Sequence, residues 1–168
     1  MLVRALIFAL LTLPALGASP ALAFSCRPYF AEQAFQDADA SPDRYVVVHG
    51  RIDFNPADLP GGVSPQLQGV PADNFFGATV TGFSLTGTGF DARFVREIRV
   101  NAQCFGPWCA SLKAGGDYLA FLKQQQDGYL LELSPCGGMA FGDPSERMLR
   151  KMHQCLLRGE CEPPVPER

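Results

Sequence analysis

Six cysteines and two histidines are the side chains of this 168-residue sequence with the most chemistry in them. Cys26, Cys104, Cys109, Cys136, Cys155 and Cys161 contain two close pairs, one with four intervening residues and one with five. A structural zinc site favours closely spaced pairs such as Cys-x2-Cys, often backed by histidines, and thiol–disulfide exchange favours Cys-x-x-Cys. Neither spacing is present, so the even count reads as three disulfides, provided that the chain is exported. His49 and Asp53 fall four residues apart on one face of an expected strand, where such a pair is an exposed charge contact worth under about 1 kcal/mol. No nucleophile motif lies near His49 or His153, and Gly61-Gly62 and Gly137-Gly138 lack the spacing and helix starts of a phosphate loop. The residues therefore predict no catalytic centre, no cofactor and no metal site, and the chain is expected not to be an enzyme.

Export is expected from the first 23 residues. Arg4 supplies a positive start, an apolar run covers residues 5–16, and Ala21-Leu22-Ala23 gives the small-x-small cleavage pattern, so residues 1–23 read as a signal peptide that leaves Phe24 as the new N-terminus. The run is shorter than the roughly 20 apolar residues that a spanning helix needs, and no membrane insertion is expected of the mature chain. Arg4 is the only charge lost on cleavage, so 13 basic residues face 17 acidic ones and the net charge moves from −3 to −4. That sign, with no basic run to offset it, argues against nucleic acid as a partner. The expected location is secreted or periplasmic, where disulfides persist.

The elements that must position these residues follow from periodicity. Residues 28–38 predict a short helix with Pro28 at its first position, and residues 45–54 a strand with Val46, Val48, Gly50, Ile52 and Phe54 on one face. Residues 55–74 form a long loop rich in Pro and Gly. A second strand over 76–86 changes its apolar face at Gly82, which predicts a bulge or bend there. A third strand places Phe94, Ile98, Val100 and Ala102 opposite Glu97, Arg99 and Asn101. A connector over 104–116 carries Trp108, strands follow at 117–123 and 129–133, and Asp127-Gly128 makes the turn between them. A C-terminal helix is expected with Asp143 as cap, Pro144 in first position, Glu146 completing a capping box, an apolar stripe of Met148, Leu149, Met152, Cys155 and Leu156, and Gly159 as stop. Residues 162–168 read as a loose, disordered tail. Five strands, each with one apolar face, and two flanking helices predict an all-β domain over 24–161: a five-stranded OB-like closed barrel with a short N-terminal helix and a C-terminal helix, stapled by disulfides.

An ordered series of short motifs resembles a known family. Phe24-Ser25-Cys26-Arg27-Pro28 and then Glu32-Gln33-Ala34-Phe35-Gln36-Asp37-Ala38-Asp39 are similar to the opening Cys-Ser/Thr-Cys-x-Pro and Gln-x-Ala-Phe-Cys-Asn-x-Asp of the tissue inhibitors of metalloproteinases. Val47 to Ile52, Cys104-Phe105, Gly116-Asp117-Tyr118-Leu119 and Leu131-x-Leu-x-x-Cys136 continue the series, so the resemblance covers residues 24–136, the netrin-like module. It implies a bridge from Cys26 to Cys136, because the second N-terminal cysteine of that family pairs with the one after the last barrel strand. Phe24 replaces the family's first cysteine and Gln36 its third, so Cys109 becomes the available partner for Cys104, and Cys155 and Cys161 remain for each other.

The resemblance implies a protein-binding module whose contact residues are Phe24, Ser25, Cys26, Arg27, Gln103, Phe105 and Trp108, with a protein partner, a zinc metalloprotease among the candidates. Metalloprotease inhibition is the alternative: the family chelates the protease zinc through the free N-terminal amine and carbonyl, which Phe24 would supply here. Phe24 is tethered only two residues later, by Cys26, and ordering it would cost about 1–2 kcal/mol per backbone residue. Binding is therefore preferred to inhibition, and an envelope structural or interaction protein without inhibitory activity is the remaining reading.

Overall fold

The computed structural model describes residues 25–60, 69–159 and 161–164. The expected signal peptide, Phe24, the middle of the loop over 55–74 and the end of the tail lie outside the described residues. The elements run α1 (Ala31–Ala40), β1 (Tyr45–Asp53), a single 3-10 turn (Pro56–Asp58), β2 (Asp73–Thr86), β3 (Gly89–Phe105), β4 (Trp108–Cys109), β5 (Gly116–Gln125), β6 (Gly128–Ser134), β7 (Gly137–Gly138), β8 (Ala140–Gly142) and α2 (Glu146–Arg158). Five of the strands are the expected ones; β4, β7 and β8 are too short for any periodicity to show.

The sheet closes into a ring. β1 pairs antiparallel with β2 and β5, β2 with β3, and β5 with β6. β6 leaves β5 after the Lys123–Leu130 pair and runs parallel to β3, matching Arg99 with Leu130 and Ala102 with Leu133. β8 takes over the edge of β5 that β6 vacates, pairing over Tyr118–Ala120. Gly50 and Gly82 face each other where β1 crosses β2, and a Cβ on either would overlap the backbone of the other strand, at Thr81 and His49 respectively. Only glycine permits that close approach.

Two apolar clusters result. The ring interior holds Val48, Ile52, Val80, Val100, Leu122 and Leu131, all fully buried. The second cluster lies beneath the two helices, where Ala31 and Ala34 of α1 and Met152 and Cys155 of α2 cover Leu119 and Phe121. β5 serves both: Tyr118, Ala120 and Leu122 point inward, Leu119 and Phe121 outward, and all five are buried. The expectation of one apolar face per strand fails here, because a strand covered on both sides reads as a continuous apolar run.

Other expectations are also corrected. α1 begins at Ala31, not at Pro28; Phe30 is still extended, because the chain before it is held by the Cys26 bridge and by Tyr29 stacked on Phe141. The β2 irregularity falls between Ser84 and Leu85, not at Gly82, and Phe83 lies outside the ring, half exposed. Ser145, not Asp143, caps α2, its hydroxyl accepting from the Met148 N–H at 3.2 Å. Asp143 instead has a positive φ of 47° and donates its N–H to the Asp117 carbonyl, drawn to the end of the β5–β8 ladder. Gly159 stops the helix as expected, in the left-handed region, but Leu156 is exposed rather than part of the buried stripe.

Candidate functional site

Three disulfides are present: Cys26–Cys136, Cys104–Cys109 and Cys155–Cys161. They are the pairs anticipated from the sequence. The first bridge spans 110 positions and fastens the N-terminal arm to a turn at the end of β6. That turn is shaped by its neighbours. Leu133 and Ser134 pair with Gly138 and Gly137 of β7, and the Ser134 hydroxyl donates to the Gly137 carbonyl at 2.5 Å. Gly137 has a φ of 103°, and a Cβ on Gly138 would meet the Glu132 carbonyl at 2.9 Å.

A second anchor follows at Tyr29. Its ring stacks on Phe141 at 6.3 Å and its hydroxyl donates to the Asp37 carboxylate at 2.7 Å, while Gln33 donates to the other oxygen of Asp37 at 3.0 Å. Burial, then the hydrogen bond and charge of Asp37, push the Tyr29 phenol well above its ordinary range. Arg27 therefore sits on a short extended segment fixed at both ends. It lines a cleft of about 570 Å³ with Gln103, Glu132, Ser134 and Cys136.

Gln103 reaches this cleft because β3 runs parallel to β6, so the end of β3 emerges beside the Cys136 turn. Beyond it the chain folds into a tight hairpin: Phe105 pairs with Trp108, Cys104 with Cys109, and the Cys104–Cys109 bridge joins the two strands. Gly106, with a φ of 58°, makes the turn. Phe105 is 55% exposed and Trp108 half-buried. The base of the hairpin is held by Asn74, whose amide donates to the carbonyls of Pro71 and Ala102 and to the Cys104 sulfur. Asn101 accepts from the Asn74 N–H and donates to Asp73 at 2.8 Å. At 4% exposure Asn101 is buried rather than solvated on the polar face expected for it, and its bonds satisfy it there. In the ladder Asn101 stands opposite Phe75, one residue along from Asn74 and two from Asp73.

Of the anticipated contact residues, Cys26, Arg27 and Gln103 meet around the Cys136 turn, Ser25 precedes them exposed on the arm, and Phe105 and Trp108 pair in the hairpin that follows Gln103. Phe24 lies outside the described residues. Cys155–Cys161 is elsewhere, in the cluster beneath the helices. The expected His49–Asp53 contact is not made. Asp53 takes two hydrogen bonds from Arg51, at 2.7 and 3.0 Å, which lower its carboxyl from the ordinary value. His49 turns instead to Asp117 at 2.9 Å, with its ring edge-on to Phe90. His153 donates to the Gly87 carbonyl and ties α2 to the β2–β3 turn. Among the described residues no three His, Cys, Asp or Glu side chains are grouped to hold a metal, and no helix is long and apolar enough to cross a membrane.

The arrangement is thus a small cleft between the N-terminal arm and the end of β3, followed along the chain by an aromatic hairpin, and among its described residues no nucleophile and base are set against each other. Compared with protein-family models, with curated proteins and with solved structures, the chain matches none.

Proposed function

We propose that the chain is an exported protein-binding module of the netrin-like kind, with its ring forming an OB-type barrel, and that it grips a protein partner along the N-terminal arm and the Cys104–Cys109 hairpin. One observation carries the reading: the Cys26–Cys136 bridge brings Arg27 of the arm to the same cleft as Gln103, and the hairpin follows Gln103 directly, which supports taking Ser25, Arg27, Gln103 and the hairpin as one contact ridge. The strand order supports the barrel, since a ring closed by a parallel β3–β6 pairing is what five strands of this connectivity need to remove their edges. Disulfides at this density support an oxidising compartment outside the cytosol. Aromatic and arginine side chains on a rigid, pre-organised ridge are suited to anchoring a partner.

Affinity capture from secreted or envelope extract with oxidised mature protein tests the reading. The partner should be lost with Arg27→Ala plus Phe105→Ala and kept with a control substitution on the exposed side of α2, Leu157→Ser. Capture insensitive to the ridge pair would sink the proposal. Inhibition of a zinc metalloprotease is the narrower version of the same reading, and it requires the Phe24 amine, two residues before the Cys26 anchor. Acetylating the Phe24 amine should abolish inhibition while leaving capture of a non-protease partner intact.

A further inference from the structure

Closure of the ring leaves the first half of β3 without a neighbour on one side. On the side away from β2, β3 is joined by β6 only at Arg99–Ala102 and by β4 only at Cys104–Phe105, so among the described residues no strand lies along residues 89–98. The Val95 carbonyl instead accepts from the guanidinium of the adjacent Arg96 at 2.8 Å. In an antiparallel ladder the N–H and C=O of one residue share a side, and the sides alternate along the strand. Arg93, Val95 and Glu97 therefore turn their backbone polar groups to the open edge. The β5–β6 turn is set off from that edge by a cleft of about 810 Å³ that Gln126, Asp127, Glu97 and Ile98 all line. We infer that a second copy of this chain docks on the edge, its own residues 92–98 running antiparallel to these about a twofold axis at Val95.

Charge identifies the occupant. Exposed charged side chains ordinarily keep foreign strands from an open edge, but those of β3 are matched to themselves. With Val95 opposite its own copy, Arg93 of each chain falls opposite Glu97 of the other, and Asp91 opposite Arg99 beyond them. Opposite charges directly across a ladder stabilise it, and like charges destabilise it. Moving the centre by one residue either way destroys the match: a centre at Phe94 sets Asp91 against Glu97, and one at Arg96 sets Arg93 against Arg99. Among the described residues neither Arg93 nor Glu97 is in an ion pair, and across the ladder β2 offers them only Phe83 and Thr79. At the centre Val95, 38% exposed, is a large apolar side chain left in solvent, which its own copy would cover. One patch facing itself is the isologous contact of a twofold dimer, and main-chain hydrogen bonds from an added strand supply its affinity. The edge shares no residue with the arm or the Cys104–Cys109 hairpin, so the inference stands apart from the ridge reading.

Sedimentation equilibrium of the full oxidised chain should show monomer–dimer exchange with a Kd of about 10 μM, weak as suits a small interface. Arg93→Glu should weaken it about tenfold, and so should Glu97→Arg, because either change sets like charges together at two places. Both changes made together reverse the signs but keep them opposite, and should restore the dimer to within about threefold. Val95→Pro removes an edge N–H and spares the β2 ladder, so it should abolish the dimer with an unchanged circular dichroism spectrum. Arg27→Ala on the ridge should leave the exchange unaltered. A chain still monomeric at about ten times that Kd overturns the inference, as does a dimer indifferent to the single charge changes, or one that the double exchange fails to rebuild.

Discussion

Two disulfides of this chain lie next to each other in space and act on entirely different scales. Cys26–Cys136 joins positions 110 apart and is reached by solvent; Cys104–Cys109 joins positions five apart and is buried. The loop-closure model assigns about 4.8 kcal/mol to a cross-link of the first span and about 2 kcal/mol to the second. The long bridge closes most of the fold and immobilises the arm; the short one shapes a hairpin that its strand pairing already defines. The comparison separates holding a domain together from shaping a surface, and proximity of the two bridges makes one ridge of both effects.

The contrast can be broken in descending order of effect. Replacing both Cys26 and Cys136 by serine should cost about 2–5 kcal/mol in urea unfolding and free the arm to chymotryptic cleavage at Tyr29 and Phe30; a loss no greater than that of the short bridge would end the comparison. Replacing Cys104 and Cys109 by serine should cost about 2 kcal/mol and leave the arm protected. Mild reduction without denaturant, followed by alkylation and mass mapping, should label Cys26 and Cys136 before any of the four buried cysteines. Ser145→Ala, which removes the cap of α2, should cost about 1 kcal/mol, leaving both bridges intact. The smallest effect is at Tyr29. Because its phenol is raised in the folded protein, its contribution is complete below the unfolded value near 10 and is lost as the pH climbs beyond it. The arm contact should therefore loosen in alkali, and Tyr29→Phe should remove that dependence at a cost below about 1 kcal/mol at neutral pH.

Legibility followed physical cause. Strands with one buried face announced themselves by alternation, as Phe94, Ile98, Val100 and Ala102 do along β3. The C-terminal helix showed in its stripe, though its cap was misplaced by two residues: a local rule favours Asp143, while the β5–β8 ladder claims it. Gly82 was a true signal read in part for the wrong reason: of the bulge or bend expected there, the bulge falls between Ser84 and Leu85, and Gly82 marks a close crossing with Gly50. The arm and the hairpin became legible only through the resemblance and the cysteine count, because disulfide partners distant in sequence leave no periodic trace.

The long bridge also constrains how the chain can be oxidised as it is made. Cys26 is synthesised first and its partner only 110 positions later, with Cys104 and Cys109 arriving in between. In strict order of emergence Cys26 would meet Cys104 first, a mispairing that deprives Cys109 and Cys136 of their partners. Closure of the short Cys104–Cys109 loop is entropically the easier one, and once made it removes that competitor and leaves the first thiol for the last strand.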